Sequence, residues 1–391
     1  VRIVTFTTLY PNATRPQHGI FVETRLRKLV ESGAVEARIV APCPWFPFSS
    51  ARFGRYAEFT RIPRQEERFG LRIDHPRYPL LPKIGMSSAP LALFAATLPL
   101  LRRQIKEGQD FDLIDAHYFY PDGVAAVLLG QALGRPVVIT ARGDDLDLIA
   151  TYTVPRRWIA WAARHAAGLI TVSSGLKRRL VALGIVPERV RVLRNGIDLL
   201  LFQPTDRVEA RRSLGLTAPT LLAVANLVPK KRHYLMVEAL AQLPGLELLI
   251  VGEGPERTAT ERLVRERQVS DRVRLLGQMS QHRLPELYSA ADLLLLPSER
   301  EGWPNVLLES MACGTPVVVS NIDGFDEIVA APEAGRILAE TTPATLASAI
   351  RDLLAAPPVR AATRRYAEQF DWQSTTQGQI DLFREICEGR R

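Results

Sequence analysis

The chain of 391 residues is 47% apolar with a mean hydropathy of −0.01, the balance of a soluble globular protein too long for one hydrophobic core, so two domains are expected. Its three cysteines, Cys43, Cys313 and Cys387, are odd in number and far apart, which argues against a disulfide framework and a zinc site. The net charge of +8 is uneven: residues 1–200 hold 28 Lys+Arg against 17 Asp+Glu, whereas residues 201–391 hold 22 against 25. The basic first half suits an anionic partner such as a phospholipid surface or a pyrophosphate carrier; no nucleic-acid module accompanies the charge.

In chain order, Val1 to Phe6 reads as a short strand and not as a secretory signal, so a cytoplasmic protein is expected. Aliphatic runs then alternate with helical patterns: Arg2–Phe6, Ala37–Ala41, Leu113–Ala116, Pro136–Thr140, Gly168–Val172 and Val190–Leu193. The stretch Pro42–Leu81 breaks this rhythm, being dense in Pro, Arg and aromatic residues. Within it Phe53, Tyr56 and Phe59 or Thr60 fall at near-helical spacing among Arg52, Arg55 and Arg61, a pattern suited to a lipid headgroup layer, an acceptor pocket or packing onto its own domain. Met86–Leu101 is the most apolar stretch but is shorter than the ~20 residues a bilayer span needs, so a buried helix is expected, with a membrane-facing one as the alternative.

The second half repeats the alternation with strands at Thr220–Val224, Leu246–Val251, Val273–Leu275, Leu293–Pro297 and Pro316–Ser320, and helices at Tyr234–Ala241 and Thr258–Gln268. This βαβ order predicts an α/β protein of two parallel-sheet domains facing across a cleft. The first is placed at 1–198, with a final helix at 373–391 crossing back to it, and the second at 199–372. Asn195–Asp198 and the Phe202–Thr205 turn mark the junction.

The most telling segment runs from Ser298 to Val319, where Glu301 and Glu309 are separated by seven residues. A strand ending at Pro297 puts Glu301 in a loop, and Pro304 in the first turn of a helix through Met311 puts Glu309 about two turns further along. The unpaired N–H groups at a helix start suit a phosphate or sugar hydroxyls. Glu301 is therefore expected to accept from sugar hydroxyls and Glu309 to hold the ribose diol of a nucleotide. Two solvated surface charges are the plain alternative, but the rigid Gly302-Trp303-Pro304 turn and the apolar helix leave little free surface for them.

The segments EGWPNVLLESMACGTPVV, ITVSSGLKRRL, VRVLRNGID, GEGP at Gly252–Pro255 and LLGQMS at Leu275–Ser280 together resemble the family 4 glycosyltransferases of the GT-B fold, along almost the whole chain. By this resemblance Glu301 contacts the transferred sugar and Glu309 the ribose. Backbone amides of Trp303, Asn305 and Val306 supply further contacts, while Pro304, often glycine in relatives, has no N–H to give. Gly277, Gln278 and Met279 border the base, leaving UDP and GDP unseparated. In AVANLVPKKRHYL, Lys231 matches the family's diphosphate lysine and Asn226 stands where an arginine is expected, with Lys230 or Arg232 as compensating cations.

In the first domain the resemblance makes His117, in IDAHYFYPDG, the active-site histidine, and Gly19, in QHGIF, the glycine that lets a loop approach the diphosphate. Both also have ordinary roles open to them, in polar packing and in turn geometry. Thr140, Arg142, Gly143 and Asp145 of TARGDDLD are expected on the acceptor side or the cleft floor. The implied activity is retaining transfer from a nucleotide diphosphate sugar to a saccharide or lipid-linked acceptor in bacterial cell-surface polysaccharide synthesis. It is expected to proceed without a metal, with His117, Lys231 and Glu301 at its centre and the protein in the cytoplasm or peripheral on the inner face of the membrane. A non-catalytic nucleotide-sugar binder and a Rossmann-type oxidoreductase are the competing readings; the oxidoreductase is disfavoured because GEGP lacks a third glycine and runs directly into proline.

Overall fold

A computed structural model describes residues 1–391 except 49, 51, 53, 80–84, 390 and 391. The chain divides into two compact units, Val1–Asn195 with Trp372–Arg391, and Gly196–Asp371.

The first unit is built on an eight-stranded sheet in the order Val190–Val192, Gly168–Thr171, Val137–Ala141, Leu113–His117, Arg2–Phe6, Glu36–Val40, Leu71–Asp74 and Gln65–Arg68. Every pairing is parallel except that of the last two strands, which form an antiparallel hairpin. Strands such as Leu113–His117 and Val137–Ala141 are buried along their whole length, as expected of a parallel sheet covered on both faces. On one face Ile3, Leu113, Val138 and Ile170 meet the helices Ile20–Glu31 and Gln373–Glu388 in a continuous apolar core.

The second unit carries six parallel strands in the order Val273–Gly277, Glu247–Val251, Thr220–Val224, Leu293–Leu296, Val317–Val319 and Gly335–Ile337. Helices His233–Ala241 and Pro343–Ala355 cover one face with residues such as Met236, Leu240, Leu346 and Ile350. The latter helix opens on a reciprocal cap, in which the Thr342 and Thr345 side chains each accept from the other's backbone N–H. In both units the first strand lies inside the sheet, with the chain extending to one side of it and then to the other. The carboxyl ends of the two strands flanking that reversal are where open sheets of this kind receive ligands.

The stretch expected as an insertion holds the short helix Arg55–Phe59, the hairpin described above and a two-stranded sheet of Cys43–Trp45 with Arg77–Pro79; Phe53 lies outside the described residues. The apolar stretch expected as a buried helix is the longer helix Gly85–Lys106. It buries the stripe Ala89, Leu93, Thr97 and Leu101, with Met86 exposed in its first turn and Leu91 exposed on another face. Among the described residues no helix is long and apolar enough to cross a membrane.

Candidate active site

In the second unit the reversal lies between Thr220–Val224 and Leu293–Leu296. The loop after the first of these strands ends in a single tight turn at Pro229–Lys231, and the loop after the other carries Glu301. Glu299 N–H donates to the Lys230 carbonyl at 2.8 Å and ties the two loops together. Beside that bond the Lys231 ammonium donates to Glu301 Oε1, and both side chains are largely withdrawn from solvent, at 15% and 9% exposure. The two residues, 70 apart in sequence, thus meet at the place where an open α/β sheet receives a ligand. An ammonium has three N–H donors, so one spent on Glu301 leaves two for an anion.

Gly252 explains how the neighbouring loop fits. Its φ of +142° suits glycine, and a Cβ there would lie 2.0 Å from the Ala225 carbonyl oxygen. Leu227 N–H donates to the Glu253 carbonyl at 2.9 Å, so the GEGP loop packs directly on the loop bearing Asn226 and Lys231. Its glycine is used for chain-on-chain packing. Asn226 is exposed, with its carbonyl accepting from Val228 N–H at 2.9 Å. Gly277 ends the edge strand and accepts from Gly252 N–H at 2.8 Å; Gln278, exposed, and Met279, half-buried, follow it at the carboxyl edge of the same sheet.

Trp303 is buried with its ring 6.4 Å from that of Phe370, and Pro304 stands immediately before the helix Asn305–Ala312. Asn305 and Val306, both half-buried, form the first turn of that helix. Glu309 lies one face inward, only 6% exposed, and accepts from the Tyr288 hydroxyl at 2.8 Å. Burial pushes its carboxyl up to about 7, against the downward pull of the Tyr288 bond. The same burial, followed by the nearness of Glu309, raises the Tyr288 phenol well above its usual range.

The first unit gathers a different set. Asp115, His117, Thr140 and Arg142 share one sheet face, continuing toward the carboxyl ends the face that is apolar at Leu113 and Val138. His117 is 1% exposed, and both ring nitrogens are engaged: Arg142 Nη2 donates to Nδ1 at 2.7 Å, which makes Nε2 the donor to Asp115 Oδ2 at 3.2 Å. Burial lowers the imidazole to about 4, opposed by Asp115 and assisted by Arg142. Arg142 also donates to Asn195 Oδ1 at 3.1 Å, and Arg25, fully buried, donates to Gln379 Oε1 at 2.9 Å and the Leu193 carbonyl at 3.0 Å. Gln379 closes the set by donating to Asp115 Oδ2 at 3.2 Å.

Two of the expected positions have structural roles in this unit. Thr140 and Asp145 are fully buried, and Asp145 accepts from the backbone N–H groups of Phe119, Arg142 and Gly143 at 2.8–3.1 Å, so Asp145 braces the turn from within. Gly19, at φ +72°, opens the helix Ile20–Glu31, and a Cβ there would lie 2.2 Å from the Leu9 carbonyl oxygen; the close approach it permits is to its own chain.

Arg25, Asp115, Gln379 and His233 escaped the sequence reading. Two of them left a mark: Arg25 interrupts the apolar stripe Val22, Leu26, Leu29 of its helix, and Asp115 is a charge inside an otherwise fully buried strand. Gln379 sits in ordinary amphipathic helical sequence, and His233 at the start of a largely buried helix directly after a basic run that reads as a solvated turn.

Residues 206–370 match the family model described as glycosyl transferases group 1, and residues 56–200 match that of glycosyltransferase family 4. The D-inositol 3-phosphate glycosyltransferase of Acidothermus cellulolyticus is 35% identical over 332 residues, 77% of this chain and 73% of its own length. Among solved structures, sucrose-phosphate synthase from Thermosynechococcus elongatus matches with a TM-score of 0.80 at 21% identity, covering 99% of both chains. HepE from Anabaena in complex with UDP-glucose matches with a TM-score of 0.73 at 20% identity, covering 97% of this chain and 98% of its own. At these identities the two structures speak for the fold alone.

Proposed function

This chain belongs to the family 4 glycosyltransferases of the GT-B fold, with two Rossmann-like domains, and from that premise we propose that it is a retaining transferase acting from a nucleotide diphosphate sugar. The observation that carries the reading is the Lys231–Glu301 pair in the crevice of the second unit. In the proposed reaction the bond between the sugar C1 and the phosphate oxygen breaks, with its electron pair going to the diphosphate. The acceptor oxygen bonds to C1 on the same face, and its proton passes to the departing phosphate oxygen. Lys231 and the first turn of Asn305–Ala312 stabilise the growing negative charge; Glu301 orients the sugar hydroxyls and holds the ammonium in place. Glu309 holds the ribose, and the carboxyl edge around Gly277, Gln278 and Met279 borders the base. A divalent ion is not part of this reading, so EDTA is expected to leave the rate unchanged. The sugar contact expected of His117 would cost it a partner, and the reading does not use it.

UDP-glucose, bound in the HepE complex, is the donor to assay first, with GDP-sugars alongside. D-inositol 3-phosphate joins saccharide and lipid-linked acceptors in the panel because the Acidothermus cellulolyticus relative is named for it. An anomeric NMR time course is expected to show retention; inversion would contradict the mechanism.

A role on the inner face of the cytoplasmic membrane, in cell-surface polysaccharide synthesis, is proposed on a feature of the first unit. A groove of about 320 Å³ is lined by Arg156, Arg157 and Arg164 with Ala160 between them. All three arginines are exposed and make no ion pair among the described residues. Tyr152 and Val154, at the start of the same helix, are 48% and 43% exposed. Unpaired guanidinium groups beside exposed apolar side chains suit an anionic lipid surface. Vesicles of phosphatidylcholine with 30% phosphatidylglycerol should carry the protein in flotation, and the triple charge reversal R156E/R157E/R164E should abolish it. Equal flotation of both proteins, or loss of vesicle binding to duplex DNA as competitor, would overturn this role.

A further inference from the structure

His233 opens the helix His233–Ala241, two residues after Lys231. The residue is 3% exposed, and neither Nδ1 nor Nε2 has a hydrogen-bond partner among the described residues. Two other imidazoles, equally deep, behave differently. His75 bonds the Ala41 carbonyl at 2.7 Å and Glu66 at 2.6 Å, and His117 bonds Arg142 and Asp115. A buried polar side chain without partners is rare because it has given up water for nothing.

The surroundings point to what it lacks. Arg232, just before it, is held at φ +51°, ψ +45°, a left-handed conformation that a residue with a side chain seldom adopts. Across the bond between Glu299 N–H and the Lys230 carbonyl lies the loop of Glu301, where Ser298 Oγ is fully buried and likewise without a partner. The strained residue and the two unpartnered polar groups thus fall on the two loops that bring Lys231 to Glu301. Each costs stability in the protein alone, and here they stand beside Lys231 and Glu301, where a bound ligand would supply the missing bonds. The other groups on the Lys231 side of this place are an ammonium and the positive end of a helix, so the missing partner is an anion.

We propose that His233 is a donor-binding residue whose ring N–H bonds an oxygen of the nucleotide diphosphate beside Lys231. Lys231 supplies charge and His233 supplies direction. Burial, followed by the Lys231 charge, lowers the imidazole to about 4, so near neutral pH the ring carries one N–H donor and no competing positive charge. The proposal rests on the nucleotide-sugar reading of this crevice.

The test measures UDP and GDP affinity by calorimetry, and urea unfolding, on the full chain and on His233→Phe. If the wild-type protein binds neither nucleotide, the nucleotide-sugar reading itself fails. If it binds, His233→Phe is expected to be at least as stable as wild type and to bind at least about tenfold more weakly, because an apolar ring of similar shape removes the unpaired nitrogens and the directed bond together. His233→Gln, which keeps an N–H donor, should bind more tightly than His233→Phe. Unchanged affinity in His233→Phe would overturn the proposal. Should His233→Phe fail to fold, His233→Gln against His233→Ala decides: tighter binding by Gln supports the role, and equal binding overturns it.

Discussion

At the carboxyl ends of its strands the first unit joins each charged side chain to others, leaving single atoms such as Arg25 Nη2, Asp115 Oδ1 and Arg142 Nε without a partner among the described residues, whereas in the second the whole His233 ring goes without one. Asp115, His117, Arg25 and Arg142 each make two or more polar contacts with named partners in their own unit. Lys231 and Glu301 are bonded to each other, and His233 and Ser298 Oγ have no partner. Both sets occupy the position where α/β sheets bind ligands. The difference teaches that a strand-end position alone does not mark a ligand residue; a side chain bonded to several neighbours acts as a brace even with one atom unspent, while a buried ring with no bond at all is open to a ligand.

The sharpest way to break this contrast is Asp115→Ala. It removes the acceptor shared by His117 and Gln379, leaves the buried Arg25 guanidinium without its counter-charge and leaves Arg142 with Asp145 alone. Loss of one member of such a buried set costs about 3–5 kcal/mol, to be read as a lowered urea midpoint at unchanged slope. A loss below about 1 kcal/mol would mean that the cluster is not the brace described. Next in size, Lys231→Met should lower kcat about 10²–10³-fold while leaving the urea midpoint close to wild type, since a stabilised leaving group is worth that much and the residue is not fully enclosed. A fall in stability as large as that of Asp115→Ala would erase the distinction between the two units.

The strands were legible because aliphatic runs in parallel sheets are buried on both faces; Arg2–Phe6 and Thr220–Val224 have the bounds the sequence predicts. The hairpin was not legible for the converse reason. Gln65–Arg68 is a polar edge strand, QEER, held by ladder hydrogen bonds and by polar side-chain contacts such as Arg68 to Glu23 and His75 to Glu66, none of which leaves an apolar pattern to read. In the site, Glu301 and Lys231 were legible as residue types at motif positions, and the structure adds that they touch. The internal commitment of His117 was beyond the sequence, because its partners are Asp115 on its own strand and Arg142 just past the end of the paired strand, whose register no motif encodes. The same holds for Gln379, brought to Asp115 across 264 residues.

The smallest effect sharpens the comparison by separating the two histidines. His233 falls from an ordinary 6.5 to about 4 on folding, so below pH 6.5 the unfolded chain takes up a proton that the folded chain refuses until about pH 4. Stability therefore declines across that window as pH falls, by about 2 kcal/mol at pH 5 for this one group. His117 shifts in the same direction and is present in both proteins, so its share cancels when wild type and His233→Phe are compared. The stability advantage of His233→Phe should consequently grow by about 2 kcal/mol between pH 7.5 and pH 5 in urea titrations. Saturating UDP should narrow it at pH 7.5, because a bound phosphate restores to His233 the partner that the Phe ring cannot use. An advantage that is flat with pH would show that the imidazole already finds a partner in the folded chain, as His117 does, and would move His233 from the incompletely bonded set to the braced one.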